Sequence, residues 1–133
     1  MVVAGTLHHL ELWVPDLDRA EASLGWLLAR LGYTLESRWP HGQGWALGPT
    51  YVVLEAGPDV LPATHERTRP GLNHLAFHAG SRADLDAFVA QAPEHGWRLM
   101  FSDRHPFAGG PDHCAAYLED ADGFEVELVA SDD

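Results

Sequence analysis

The side chains most able to do chemistry in this 133-residue chain form two pairs, each made of a histidine and a glutamate. His9 precedes Glu55 in the first half of the chain, and His74 precedes Glu127 in the second half. Each histidine opens a predicted strand, and each glutamate closes the last predicted strand of its half. Ionisable groups inside a sheet cost free energy unless something pairs with them. Two imidazoles and two carboxylates are suitable ligands for zinc, nickel, cobalt, manganese or iron(II).

The first histidine of this set belongs to an adjacent pair, His8 and His9, at the beginning of "HLELWV". Side chains alternate between the two faces of a strand, so alternation predicts that these two histidines point to opposite sides. His9 would then share its face with Glu11 and Trp13, and the apolar residues between them would face a helix. This pattern favours His9 over His8 as the chemically useful residue.

The elements that must position these residues occur twice in the same order. A strand, an amphipathic helix and three further strands occupy about residues 6–56, and the same succession returns over about residues 72–130. Residues 57–71 are polar and contain prolines, so they are predicted to be a linker. The helices end at Gly32 and Gly96, which are 64 residues apart. The sequence therefore predicts a duplicated strand–helix–three-strand unit, with both copies in a single domain over residues 1–133.

The spacing of the chemical residues agrees with this duplication. His9 and His74 are 65 residues apart, and Glu55 and Glu127 are 72 apart, which a longer loop in the second half would explain. If the two units form facing halves of one curved sheet, these four side chains converge on its concave side. One divalent metal ion is then expected there, with no nucleotide cofactor.

Composition excludes several classes of partner. The formal net charge is −12 and the chain contains no lysine, so it would repel nucleic acid and anionic membrane surfaces. No apolar run approaches the roughly 20 residues that a membrane span needs, and the first residues do not resemble a secretory signal. A single cysteine, Cys114, fits a reducing compartment. We therefore expect a cytoplasmic protein with a small-molecule substrate.

Four segments, "HHLELWVPDLDRA", "VVLEAG", "GLNHLAFHA" and "AYLEDADGFEVELV", resemble the vicinal oxygen chelate superfamily. This group includes glyoxalase I, bleomycin and fosfomycin resistance proteins and type I extradiol dioxygenases. The resemblance implies an α+β fold of two βαβββ modules in a curved mixed sheet around a concave metal site, with helices outside. It also implies a homodimer in many members. Matching the motifs gives His9, Glu55, His74 and Glu127 as the metal ligands.

Three functions follow from the resemblance. In the first, a glyoxalase-like lyase or isomerase moves a proton through a metal-stabilised enediolate on a small oxygen-bearing metabolite. The second is a ring-cleaving dioxygenase with Fe(II), because Tyr117 stands ten residues before Glu127 as in the extradiol signature. Such enzymes use two histidines and one carboxylate, so a ligand role for Glu55 would contradict this alternative. In the third, the concavity binds a drug or metabolite without chemistry.

Further residues are predicted to surround the metal. Glu127 and Glu55 are the candidate bases, and His113 and Tyr117 are candidate acid–base groups on one strand face. An aromatic or polar substrate wall is expected from four residues, which are Trp13, His78, Arg38 and Trp45. Bacterial glyoxalase I enzymes, by resemblance, have an arginine for glutathione at the position that Trp13 occupies here.

Overall fold

The computed structural model describes residues 2–131, and within them the chain divides into two compact units. The first unit ends at Thr64 and the second begins at His65. Each unit contains one four-stranded mixed sheet and one helical segment in the order βαβββ. The predicted α+β fold with two βαβββ modules is therefore confirmed. No helix among the described residues is long and apolar enough to cross a membrane.

The first unit contains sheet 1 and a continuous helical segment. Its strands are β1 (His9–Trp13), β2 (Thr34–Trp39), β3 (Gly42–Leu47) and β4 (Thr50–Glu55), in the spatial order β1-β4-β3-β2. Its helical segment consists of α1 (Leu17–Ala20), a π-helical turn (Glu21–Gly25) and α2 (Trp26–Arg30). β1 and β4 are parallel, and the other neighbours are antiparallel.

The helical segment of the first unit begins and packs as the sequence predicts. Asp16 is the N-cap, and its carboxylate accepts a hydrogen bond from the Arg19 backbone N–H at 2.8 Å. Leu24, Leu27 and Leu28 are at most 2% exposed and pack against sheet 1, as the helical spacing requires. This packing leaves the other face of sheet 1 free for polar side chains.

The second unit repeats this architecture in sheet 2. Its strands are β5 (Leu75–His78), β6 (Trp97–Met100), β7 (Ala115–Asp120) and β8 (Glu125–Val129), in the spatial order β5-β8-β7-β6. Its helix, α3 (Arg82–Gln91), continues into a 3-10 turn (Ala92–His95). Ser81 and Asp84 form the predicted capping box, in which each side chain binds the other's backbone N–H.

The predicted linker is only partly a linker. His65, within residues 57–71, stacks on Phe124 with a ring-centroid distance of 4.8 Å, and its backbone N–H donates to the Asp122 carbonyl. Arg67 Nη1 lies 3.2 Å from Glu125 Oε1. The residues from His65 onward therefore belong to the second unit, because ring stacking and charge tie them to the end of sheet 2.

The prediction that His8 and His9 point apart is wrong. β1 begins at His9, so His8 precedes the strand and strand alternation does not apply to it. The two rings lie 5.2 Å apart, and their Nδ1 atoms are 3.0 Å apart, within hydrogen-bond distance. The remainder of β1 alternates as predicted, with Leu12 buried and Trp13 exposed.

Candidate functional site

A buried carboxylate is the centre of the candidate site in the second unit. Glu127 lies in β8, and its side chain is 9% exposed. One carboxylate oxygen, Oε1, lies 3.0 Å from His74 Nε2, and the other, Oε2, forms a short hydrogen bond with His113 Nε2. Tyr117, which pairs directly with Glu127 across β7 and β8, also hydrogen-bonds to this carboxylate. The structure thus brings together four residues that the sequence predicted for one site.

The orientation of His74 is fixed by a residue that sequence reasoning missed. Asn73 donates from Nδ2 to the Arg67 carbonyl at 3.1 Å, so its Oδ1 is the atom that faces His74 Nδ1 at 2.7 Å. An amide oxygen only accepts hydrogen bonds, so His74 Nδ1 must carry a proton. In a neutral ring the lone pair of Nε2 then points at Glu127, and a proton or a cation must lie between these two acceptors. The only sequence signal was the polar residue immediately before the histidine.

This arrangement fits a metal ligand in its donor chemistry. A metal-binding histidine characteristically donates its second ring N–H to an oxygen atom, as His74 does to Asn73. The Nε2 atom of His74 and the carboxylate of Glu127 are both ligand types that divalent transition metals accept. Among residues 2–131, however, no group of three or more His, Cys, Asp or Glu side chains has an arrangement that could hold a metal ion. His74 and His113 instead contact Glu127 directly.

Tyr117 lies in a partly enclosed environment. Burial is the main cause that raises the pKa of its hydroxyl, and the charge of Glu127, the hydrogen bond to Glu127 and the charge of Glu125 raise it further. Its ring contacts Phe101 edge-on at 5.6 Å. Gly109 packs closely against Tyr117 and His113, since a Cβ there would lie 2.6 Å from the Tyr117 hydroxyl and 2.8 Å from His113 Cδ2.

Two predicted residues of the second unit, His78 and His113, are partly open to solvent. His78 ends β5, four residues after His74, and is exposed. His113 precedes β7, because the strand that was predicted to begin at residue 113 begins at Ala115 in the structure. The His113 side chain is 41% exposed and is therefore accessible from outside the protein.

The first unit contains a cavity of about 480 Å³ on the face of sheet 1 opposite the helix. Its lining comes from all four strands: His9, Glu11, Glu36, Ser37, Trp39, Gly44, Ala46, Tyr51, Val53 and Glu55. The His9 ring stacks on Tyr51 at a centroid distance of 4.6 Å. Glu55 accepts a hydrogen bond from Trp39 Nε1 at 2.9 Å.

Within the first unit, His9 and Glu55 are at opposite ends of the cavity. In the parallel pairing of β1 and β4, His9 lies beside Tyr51, whereas Glu55 lies beside Trp13. Four residues of strand separate the two levels, which is about 13 Å. Glu55 is also turned sideways to Trp39. The predicted equivalence of Glu55 and Glu127 is therefore wrong, because Glu55 lies too far along its strand.

None of the three substrate residues predicted in the first unit lines the cavity. Trp45 is 7% exposed and faces the helix, where its Nε1 donates to Gln43 at 2.7 Å and its ring contacts Gly25. Arg38 also faces the helix and forms a two-pronged ion pair with Glu21, at 2.7 and 3.4 Å. Strand alternation turns both away from the cavity. Trp13 is on the cavity side but is 51% exposed, and its Nε1 donates to Glu11.

The ion pair between Arg38 and Glu21 also explains a pKa shift on the helix side of sheet 1. The hydrogen bond from Arg38 is the main cause that lowers the pKa of Glu21, and the hydrogen bond from Gln43 lowers it further. Arg38 is therefore committed to a structural ion pair.

Comparison with known proteins gives the same fold over nearly the whole chain. The Bacillus subtilis (strain 168) protein YqjT, which is uncharacterized, is 42% identical over 125 residues, or 93% of this chain and 98% of that one. The crystal structure of a candidate glyoxalase from Bacillus halodurans is 43% identical, with a TM-score of 0.90 over 96% of this chain and 97% of the other.

A second solved structure shares the fold at much lower identity. It is the fosfomycin resistance protein FosX from Listeria monocytogenes, complexed with Mn(II) and a sulfate ion. The identity is 16%, the TM-score is 0.65, and the coverage is 98% of this chain and 94% of the other. This likeness shows the fold alone.

The sequence profile of the Glyoxalase/Bleomycin resistance protein/Dioxygenase superfamily matches residues 8–117, which is most of the chain. The Listeria FosX structure contains Mn(II). With its two βαβββ units and its 42–43% identical relatives, the chain belongs to the glyoxalase/bleomycin resistance protein/dioxygenase superfamily.

Proposed function

We propose that this protein is a divalent-metal-dependent enzyme that moves a proton on a small oxygen-bearing metabolite, as a lyase or an isomerase does. The observation that carries the proposal is the buried carboxylate of Glu127, which contacts the Nε2 atoms of His74 and His113. A carboxylate in this position is costly unless it has partners, and the partners here are groups that bind metals or carry protons.

In this proposal, His74 and Glu127 hold the metal. The proton on His74 Nδ1 is fixed by Asn73, which leaves Nε2 as the ligand atom. A divalent ion bound there supplies a positive charge that polarises a substrate oxygen. The resemblance also assigns His9 as a ligand, and the loss of metal from a His9→Ala variant would test that assignment separately.

His113 is the proposed proton carrier. Its side chain is more exposed than that of Glu127, so a substrate can reach it, and its Nε2 contacts the carboxylate. Imidazole exchanges a proton readily near neutral pH, and a carboxylate partner orients it for that exchange. Tyr117 donates a hydrogen bond to Glu127 and helps to hold the carboxylate in place.

Metal analysis tests the ligand assignment. Chelator-treated protein is titrated with Zn²⁺, Mn²⁺, Ni²⁺ and anaerobic Fe²⁺, and the expected result is about one equivalent bound per chain. His74→Ala and Glu127→Gln should bind less than about a tenth of an equivalent. His78→Ala is the matched control, because His78 is a nearby histidine at the end of β5 and pairs with Val129 rather than with Glu127. Equal metal uptake by wild type and Glu127→Gln would refute the assignment.

Solvent exchange tests the proton transfer. The metal-loaded protein is incubated in D₂O with small α-hydroxy ketones and α-hydroxy acids, and NMR records deuterium at the carbon beside the carbonyl. His113→Asn should retain metal and lose exchange by about 100-fold. Exchange that persists in His113→Asn at the wild-type rate would remove His113 from this role.

A ring-cleaving dioxygenase is the second candidate, and the position of Glu55 favours it. Glu55 is hydrogen-bonded to Trp39 in the first unit and is not placed with His9. Without Glu55, the predicted set becomes two histidines and one carboxylate, the ligand set of non-haem iron oxygenases. Oxygen consumption with catechols by the Fe²⁺-loaded protein, unchanged in Glu55→Gln, would support this candidate over the first.

Assembly and location complete the proposal. Following the family resemblance, we place the enzyme in the cytoplasm as a homodimer. Light scattering during size-exclusion chromatography should give twice the 14.6 kDa chain mass. A mass of one chain at micromolar concentration would contradict the dimer.

A further inference from the structure

The cavity of the first unit has features that the metal proposal does not use. It is built entirely from sheet 1, on the face that the helix leaves free, and has a volume of about 480 Å³. Small-molecule sites in proteins typically have volumes of about 300–1,000 Å³. The cavity is therefore large enough for a metabolite, and its lining indicates which kind.

The floor of the cavity is made of the smallest side chains. Gly44 and Ala46 of β3 lie at its centre, and the Trp39 indole lies over the backbone of Gly42. A Cβ on Gly42 would be 2.5 Å from the indole ring, so only glycine permits this placement. With one face on Gly42, the indole leaves its other face for a ligand, and the residue is 38% exposed.

The wall of the cavity is acidic and contains neither lysine nor arginine. Three carboxylates line it, from Glu11, Glu36 and Glu55, and no lining residue is lysine or arginine. Arg38, on the same strand as Trp39, is turned to the helix side and paired with Glu21. An anionic ligand would meet only repulsion from these carboxylates, whereas a cation would gain attraction from all three.

Aromatic faces complement this charge. Trp39 and Tyr51 stand on different strands of the lining, and Tyr51 is held by its stacking on His9. Aromatic rings attract ammonium and guanidinium groups through their electron-rich faces, and tryptophan does so most strongly. Carboxylates beside aromatic rings form a site suited to an organic cation rather than to a neutral sugar or an acid.

We propose that the cavity of the first unit binds a small organic cation, with an ammonium group against Trp39 and the carboxylates of Glu11, Glu36 and Glu55. This replaces the expectation from the sequence that Arg38 would form part of the substrate wall. The proposal does not rest on the metal chemistry, because the binding is measured on protein kept free of metal by EDTA.

Matched pairs of ligands test the proposal. Choline is compared with its uncharged isostere 3,3-dimethylbutan-1-ol, and benzylamine with benzyl alcohol, by ¹H–¹⁵N NMR titration at 0.15 M salt. The cation of each pair should bind at least about tenfold more tightly, and the amide resonances of Gly42, Gly44 and Val53 should shift. Salt at this concentration screens attraction between distant surface charges.

Variants locate the effect. Glu36→Gln should weaken choline binding about three- to tenfold and leave 3,3-dimethylbutan-1-ol unchanged. Glu94→Gln is the control, because it removes the same charge from an exposed position in the second unit. Trp39→Leu should weaken choline about tenfold, and retained NMR dispersion would show that it still folds.

Three results would overturn the proposal. The first is equal affinity for the charged and uncharged members of both pairs. The second is the absence of any shift at the cavity with either cation at about 10 mM, a concentration far above that of useful binding. The third is a loss of affinity in Glu94→Gln as large as that in Glu36→Gln, which would mean attraction to the net charge of the protein rather than to this cavity.

Discussion

Sheet 1 and sheet 2 can be compared position by position, because their parallel strand pairs have the same register. Leu10 follows His9 and pairs with Val52, and Leu75 follows His74 and pairs with Val126. At the next position along the paired strands, Glu11 pairs with Val53 in sheet 1 and Ala76 pairs with Glu127 in sheet 2. The position of the buried carboxylate in the second unit is therefore occupied by Val53 in the first.

The same comparison explains why the described cavity lies on sheet 1. Gly44 pairs with Val53 across β3 and β4, and Tyr117 pairs with Glu127 across β7 and β8. A glycine thus stands in the first unit where a tyrosine stands in the second. Two copies of one backbone have acquired an open, acidic face in one case and a filled, hydrogen-bonded cluster in the other. Equivalent positions in a duplicated fold are not evidence of equivalent chemistry.

The largest expected effect separates the two glutamates. Glu127→Gln should weaken binding of Zn²⁺ or Mn²⁺ by about 100-fold or more, because it removes a charged ligand, whereas Glu55→Gln should change it less than about twofold. Calorimetric titration of chelator-treated protein measures both. Equal losses in the two variants would restore the equivalence that the strand register contradicts.

The second prediction transfers the carboxylate between the sheets. Val53→Glu places a charge at a half-buried position of β4, opposite Glu11 and two residues along the sheet from His9. In metal-free protein this substitution should lower the free energy of unfolding by about 1–2 kcal/mol. Millimolar Zn²⁺ should raise the midpoint of urea unfolding more in this variant than in wild type. An equal Zn²⁺ effect on both proteins would show that this level of sheet 1 does not support a ligand.

The third prediction concerns the orientation of His74. Asn73→Ala removes the acceptor for Nδ1–H and should weaken metal binding about tenfold, while Asn73→Asp, which keeps an acceptor oxygen, should retain most of the affinity. The corresponding residue before His9 is His8, so His8→Ala serves as the comparison in the first unit. Full affinity in Asn73→Ala would show that the ring needs no such support.

The smallest effect is expected on the helix side of sheet 1. Arg38→Gln should lower the free energy of unfolding at pH 7 only slightly, since the ion pair with Glu21 is largely exposed. The folded-state pKa of Glu21 is lowered from 4.5, so this stabilisation is present above that pH and is lost as the pH falls through the folded-state pKa. Urea titrations from about pH 7 to about pH 3 should show the two proteins converging. A difference that persists at the acid end would exclude the ion pair as its cause.

The elements of the fold could be predicted because local signals agree with the tertiary structure. The caps at Asp16 and Ser81, the leucine spacing of the first helix and the alternation of β1 each specify one element. The register between neighbouring strands in each sheet could not be predicted in this way. A shift of two residues, as between Val53 and Glu55, preserves the face of every side chain and leaves the hydrophobic pattern unchanged.

The candidate site was predictable to the same extent. Alternation puts Tyr117 and Glu127 on one face of β7 and β8, whereas His74 and His113 precede their strands, and the structure brings all four together. The roles of Arg38 and Trp45 could not be read from the sequence, because each residue type is common both at substrate sites and in packing. Their partners, Glu21 and Gln43, are set by which face of β2 and β3 meets the helix.

The π-helical turn over Glu21–Gly25 has a consequence for the history of the duplication. The strand-opening histidines are 65 residues apart and the helix-ending glycines are 64 apart, so the first copy has one additional residue in this interval. A π-helical turn can take up a single inserted residue within an otherwise α-helical segment. An insertion at this turn would leave the leucines beyond it directed at sheet 1. An alignment of the two halves without a gap is therefore out of register by one residue beyond this turn. Such an alignment underestimates the similarity of the two copies.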